Sequence, residues 1–115
     1  MLIVNWIRSD NNNWCKLETV NLSGVTASGV YIIWHTGAPG KVVYVGQGAI
    51  SPRLIAHRSD TRIQAYKRSG ALRVTWAAVP ASQRDGVEGY LANKWNPLVG
   101  DAHPIAAPIA VNSPW

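Results

Sequence analysis

Two runs decide the reading of this chain: Val30-Tyr31-Ile32-Ile33-Trp34-His35 and Lys41-Val42-Val43-Tyr44-Val45, joined by Thr36-Gly37-Ala38-Pro39-Gly40. Both runs are dominated by β-branched and aromatic residues, which suit a pleated, half-buried surface. The joint holds the residues of a hairpin turn, so the two strands are expected to be antiparallel neighbours. Downstream, Ser51 reads as an N-cap and Pro52 as a first helical residue, opening a helix through Leu54, Ile55 and Arg58. Ser59 is placed to cap a second helical stretch through Ile63, Ala65 and Tyr66, ended by Gly70. Leu72, Val74 and Trp76 alternate with polar residues and predict a third strand, which Pro80 stops after Val79. Ser82 and Asp85 have capping-box spacing and open a last helix to about Trp95. Asn96-Pro97 ends it, because proline disfavours helical geometry in the residue before it. The order β-β-α-α-β-α predicts a small α/β (α+β) sandwich with a three-stranded, largely antiparallel sheet flanked by helices.

Outside this core lie two extensions, residues 1–27 and 101–115. Asn11, Asn12 and Asn13 beside Asp10 read as a turn, Trp14 to Leu22 as a short strand of weak pattern, and Gly24 to Ser28 as a loop. The last stretch has three prolines, and its Ile105, Ile109, Val111 and Trp115 argue for an extended tail packed on the domain. A chain of 115 residues fits one domain with a real core. Cys15 has no second cysteine to pair with and reads as a small core residue in a reducing, cytoplasmic setting. No stretch approaches the roughly 18 apolar residues of a membrane helix.

The net charge of +5 is unevenly placed. Arg53, Arg58, Arg62, Lys67, Arg68 and Arg73 fall between Ser51 and Arg73 against Asp60 alone, so this segment carries the whole surplus. Such a segment is either the footprint of a phosphate-backbone binder or a solvated helical face.

Glu88 shares a helical face with Leu91, Ala92 and Trp95, where a carboxylate is costly unless paired or metal-bound; the alternative is a stripe-edge glutamate reaching solvent. Gly86 and Gly89 weaken the same helix and suggest a close approach to its backbone, for structural or functional reasons. Arg53 and His57 stand i, i+4 on the first helix, suited to a phosphate oxygen and a proton, or to a surface arginine and a satisfied histidine. His35 and His103 have no metal-ligand spacing and read as structural.

Gly29-Val30-Tyr31 and Tyr44-Val45-Gly46, on the two hairpin strands, resemble the paired tripeptides of the GIY-YIG nuclease superfamily. Arg53 and His57 follow at the family's spacing, Glu88 stands in the last helix where the family has its metal-binding glutamate, and Asn96 matches the asparagine that follows. Val30 and Val45 replace isoleucine, and Gln47 stands where some members carry a basic residue. The match spans roughly residues 28–97. The resemblance implies divalent-metal-dependent hydrolysis of a DNA phosphodiester, with RNA not excluded. It implies that Glu88 holds one Mg²⁺ or Mn²⁺ and that Arg53 neutralises the phosphate. It further implies that Tyr31 takes the proton from water with help from Arg53 and His57, that Tyr44 positions water or phosphate, and that Asn96 orders the site. Arg58, Arg62, Lys67, Arg68 and Arg73 would then track the nucleic-acid backbone. With no attached specificity module, a partner protein is one source of selectivity. The rival reading is a non-catalytic nucleic-acid-binding module on the same fold.

A shared tyrosine site makes a demand on the hairpin. If His35 opposes Lys41 across the five-residue joint, strict pairing puts Tyr31 and Tyr44 on opposite faces. Only an even-length connection or a bulge returns both to one face.

Overall fold

The computed structural model describes residues 1–9, 11–100 and 106–115. The readings placed on Asp10, His103 and Ile105 lie outside the described residues. The elements are β1 (Cys15–Lys16), β2 (Ser28–His35), β3 (Lys41–Ala49), α1 (Ile50–His57), α2 (Thr61–Gln64) with a 3₁₀ turn at Ala65–Arg68, β4 (Leu72–Ala78) and α3 (Ala81–Trp95). The class is mixed α/β, with an antiparallel sheet in the order β1-β4-β2-β3. The sheet therefore has four strands rather than three. The added strand is the two-residue β1, which pairs Cys15 with Val74 and Lys16 with Arg73. Its brevity explains the weak sequence signal.

The joint does carry a bulge. His35 pairs with Lys41 and Trp34 with Val42, but Ile33 then pairs with Tyr44, leaving Val43 extra. Two residues on β3 oppose one on β2, and the alternation shifts by one position. Val43 and Tyr44 both join Tyr31 and Ile33 in the cluster under α1, with Leu54 and Ile63. The opposite face packs Val30, Ile32, Val42 and Val45 on Val87 and Leu91 of α3.

Three capping expectations need correction. Helix α1 begins at Ile50 with Ala49 at its N-cap and no side-chain cap, so Ser51 is already inside the helix. Helix α2 is capped by Asp60, which accepts from the Arg62 N–H at 2.9 Å, rather than by Ser59. Helix α3 begins at Ala81 after Pro80, with no side-chain cap, so Ser82 and Asp85 form no capping box. For α1 and α3 the helix starts ahead of the serine, with no side-chain cap, whereas for α2 the start moves one residue to Asp60, an equally good cap.

The extensions pack on the domain and on each other. Leu17 and Leu22 enter the α1-side core. Leu2 forms a parallel bridge with Val111, the Asn112 side chain bonds both the N–H and the carbonyl of Val4, and the Trp6 indole donates to the Asn112 carbonyl. A Cβ on Gly86 would meet Ile109 Cγ1 at 2.6 Å, so this glycine admits the tail. Gly89 faces open space. Cys15 is buried and His35 is buried, its Nδ1 accepting from the Gly37 N–H at 3.1 Å, as a structural histidine should. Among the described residues no helix is long and apolar enough to cross a membrane.

Candidate active site

Strand β3 is an edge of the sheet, bonded by Leu98 and Val99 at its Val42–Val43 end, and the candidate site forms along its second half. The bulge sets Tyr44 beside Tyr31, with ring centroids 6.0 Å apart and planes within 15°. Gly46 pairs with Tyr31 across the ladder, and a Cβ there would overlap the Tyr31 ring and hydroxyl and come within 2.8 Å of Tyr44 Cε1. The bare backbone at Gly46 is what lets the Tyr31 ring lie across β3.

Helix α1 carries Arg53 and His57 over this pair. His57 Nε2 lies 2.7 Å from the Tyr31 hydroxyl, and its ring centroid is 4.6 Å from that of Tyr44. Arg53 is exposed, yet its guanidinium hydrogen-bonds the Tyr31 oxygen. A Cβ on Gly48, which sits at φ +126°, would lie 3.6 Å from Arg53 Cγ, so the Arg53 stem runs beside β3 there. Tyr31 is fully buried. That burial pushes its phenol above the ordinary value near 10, and the opposing effect of Arg53 does not cancel it. The expected assistance from Arg53 is therefore present but outweighed, and Tyr31 is a neutral hydroxyl with a proton to give.

Glu88 stands on α3, which packs on the sheet face opposite the tyrosines, and it lies near enough to Tyr31 for its charge to add a minor upward push to the phenol's pKa. It is buried, and its Oε2 accepts from the Gln47 amide at 3.1 Å. The same amide nitrogen donates to Asp85 Oδ1 at 2.6 Å. One side-chain amide thus ties together two carboxylates one helical turn apart. From sequence Asp85 read only as a capping-box residue and Gln47 only as standing where some family members carry a basic residue, so neither was placed in the site; the i, i+3 spacing of Asp85 and Glu88 is the available signal, but their meeting point on β3 is not. Asp60 is a third residue with no site role read from sequence. Its carboxylate stands 3.9 Å from His57 Nδ1, and the Arg62 side chain beside it holds its pKa below the usual carboxylate value.

These donors suit a hard divalent ion. Glu88, with Asp85 adjacent, offers carboxylate oxygen. Among the described residues no three His, Cys, Asp or Glu side chains converge, so such an ion would keep mostly water ligands.

Five of the six expected catalytic residues are thus gathered around one stretch of β3. Asn96 is not. It caps α3 in the left-handed conformation, φ 48°, eight residues and about 12 Å along the axis beyond Glu88. It lines a separate cavity near Lys41.

The basic segment divides. Arg58 donates to the carbonyls of Leu17 (2.8 Å) and Val20 (2.6 Å), and Arg73 to that of Trp14 (2.8 Å). Both pin the N-terminal extension. Arg62 pairs with Asp60 at 3.0 Å and Lys67 pairs with Glu18. Arg68 is exposed at the end of the 3₁₀ turn. The local surplus of positive charge is therefore smaller in space than in sequence, because Glu18 is brought to it from outside the segment.

No family model, no curated protein and no solved structure matches this chain. The resemblance to the GIY-YIG superfamily rests on the quoted residues alone.

Proposed function

We propose that this chain is a divalent-metal-dependent endonuclease of the GIY-YIG type, acting on DNA in a reducing compartment such as the cytoplasm. The observation that carries the reading is the bulge at Val43. It turns Tyr44 onto the face of Tyr31, where His57 and Arg53 already lie, and so builds a polar cluster that folding alone does not require.

The chemistry follows from the neutral phenol of Tyr31, which is a relay. Its hydroxyl gives its proton to His57 Nε2, in the tautomer whose Nε2 accepts, as its oxygen accepts one from the attacking water. The resulting hydroxide forms the new P–O bond in line with the leaving sugar oxygen, and that P–O bond breaks. Arg53, exposed and anchored on the Tyr31 oxygen, neutralises the non-bridging phosphate oxygens. Tyr44, packed on His57, fixes the imidazole and one wall of the water site. Glu88, with Gln47 and Asp85 behind it, would hold the ion. When bound, the ion supplies charge stabilisation at the leaving oxygen.

The test is cleavage of supercoiled plasmid by the native chain in Mg²⁺ or Mn²⁺ and in EDTA, with Glu88→Ala alongside. Metal-dependent nicking that E88A loses, with DNA affinity and thermal midpoint intact, supports the nuclease. Binding without nicking under every metal condition supports the non-catalytic module instead.

A further inference from the structure

The seam between β3 and α3 has a second end. At Gln47 it meets Asp85 and Glu88; at Lys41 and Val42 it meets Trp95 and Leu98. There a cavity of about 540 Å³ opens among Trp14, Trp34, Trp95 and Trp115, with Lys41 and Asn96 on its lining. The indoles are half-buried or exposed, and Trp115 is 49% exposed. Trp115 lies 4.7 Å from Trp34 and 5.3 Å from Trp95, centroid to centroid, and Trp14 meets Trp34 edge-on at 5.6 Å. Trp14, Trp34 and Trp95 pack by one side on the α3-side core, and Trp115 meets all three from the tail.

The charge around the cavity identifies the occupant. The surrounding side-chain charges are positive: Lys41 on the lining, Lys94 Nζ 5.4 Å from the Trp95 ring, and Arg8 4.0 Å from the Trp14 ring. An aromatic cage for a quaternary ammonium is opposed by cations on its rim. A flat ring attached to a phosphate fits both the indole walls and the positive rim.

We propose that this cavity receives one unpaired base of a DNA strand, stacked on Trp34 and Trp115, with the adjoining phosphate on Lys41. The inference rests on the nucleic-acid reading of the hydrolytic site and deepens it. Trp95 and Glu88 are seven residues apart on α3, about 10 Å along its axis, so one strand laid in the seam reaches both. The substrate class is then DNA with an unpaired stretch beside the cleavage point.

The experiment is tryptophan fluorescence of the full chain in EDTA, titrated with a short oligothymidylate. The strand should quench the fluorescence. Trp115→Ala should lower its affinity between about fivefold and about a hundredfold, the range for one stacked base. An abasic strand of equal length and charge should bind the native chain as weakly as the thymidylate binds W115A. Lys41→Ala should reduce the slope of log affinity against log salt by about 0.7. Equal binding of the abasic strand overturns the proposal, as does an unchanged affinity in folded W115A. It is also overturned if free thymidine monophosphate binds as tightly as the strand, or if tetramethylammonium quenches at lower concentration. The abasic comparison uses no variant, so a misfolded W115A does not shelter the idea. Neither metal nor cleavage enters, so failure here leaves hydrolysis standing, and retained cleavage in E88A leaves the base pocket standing.

Discussion

Arg53 and His57 differ from Arg58, Arg62, Lys67 and Arg73 in a way that their shared charge and neighbourhood conceal. The first two point from α1 toward the tyrosines on β2 and β3. Of the others, Arg58 and Arg73 bind carbonyls of the N-terminal extension, and Arg62 and Lys67 meet carboxylates. A basic run is thus divided, one part set against the tyrosines and the other architectural. Helical phase separates them: Arg53 and His57 share a face, and Arg58 is turned about 100° from His57.

The largest expected effect tests the chemistry proposed for the inward group, at Glu88, the carboxylate proposed to hold the ion. Glu88→Ala should reduce cleavage by at least about a thousandfold, the several kcal/mol an ion-stabilised leaving group is worth. Thermal midpoint and DNA affinity in EDTA should hold, because a carboxylate is replaced by a strong helix former. Loss of all three together would mean Glu88 belongs to the architecture.

Next come the relay residues. His57→Ala and Tyr31→Phe should each cost about 10²- to 10⁴-fold in cleavage rate, measured in single turnover. Tyr31→Phe has a second readout. Because burial raises the Tyr31 pKa in the folded state, its contribution to stability is complete below about pH 10 and is lost as pH rises beyond it. The native chain should lose stability in that alkaline window, and Y31F should lose less. Identical alkaline unfolding curves would contradict the buried, neutral phenol.

The outward group should respond in the opposite sense. Arg58→Ala removes two charged hydrogen bonds to backbone carbonyls and should destabilise the fold by about 2–3 kcal/mol in urea unfolding. It should leave the salt slope of DNA binding unchanged. Arg68→Ala, at an exposed position, should leave stability unchanged and lower that slope by about 0.9 on duplex DNA. If the two variants exchange these phenotypes, the division drawn here is wrong.

The smallest effect belongs to Asp60, which stands between the groups. Its pKa is lowered, chiefly by the hydrogen bond from the Arg62 side chain. Its stabilising contribution is therefore present above its unfolded value near 4 and fades as pH falls through its lower folded value. Asp60→Asn should flatten the acid limb of the stability profile and cost under about 1 kcal/mol at neutral pH, since asparagine still caps α2.

The sequence by itself determined the antiparallel hairpin, the order of the elements from β2 to α3, and the placing of Arg53 and His57 on one face of α1. These follow from local rules: β-branched runs, turn residues, and i, i+4 spacing on a helix. The grouping of Tyr31, Tyr44 and Glu88 with them came from the family resemblance instead. The sequence also determined the parity problem, since a five-residue joint and a shared face are incompatible in a regular ladder. Only the tertiary structure decided how the problem is solved. Val43 is left unpaired, and its carbonyl accepts from the Val99 N–H at 2.8 Å, a residue more than fifty positions away. The same applies to the pairing of Gln47 with Asp85 and Glu88, to the meeting of Lys67 with Glu18, and to the placing of Asn96 at a helix end away from the tyrosines. Each depends on which remote segment the fold brings alongside. A chain's local propensities carry no record of that, because the energy that selects it comes from packing between segments.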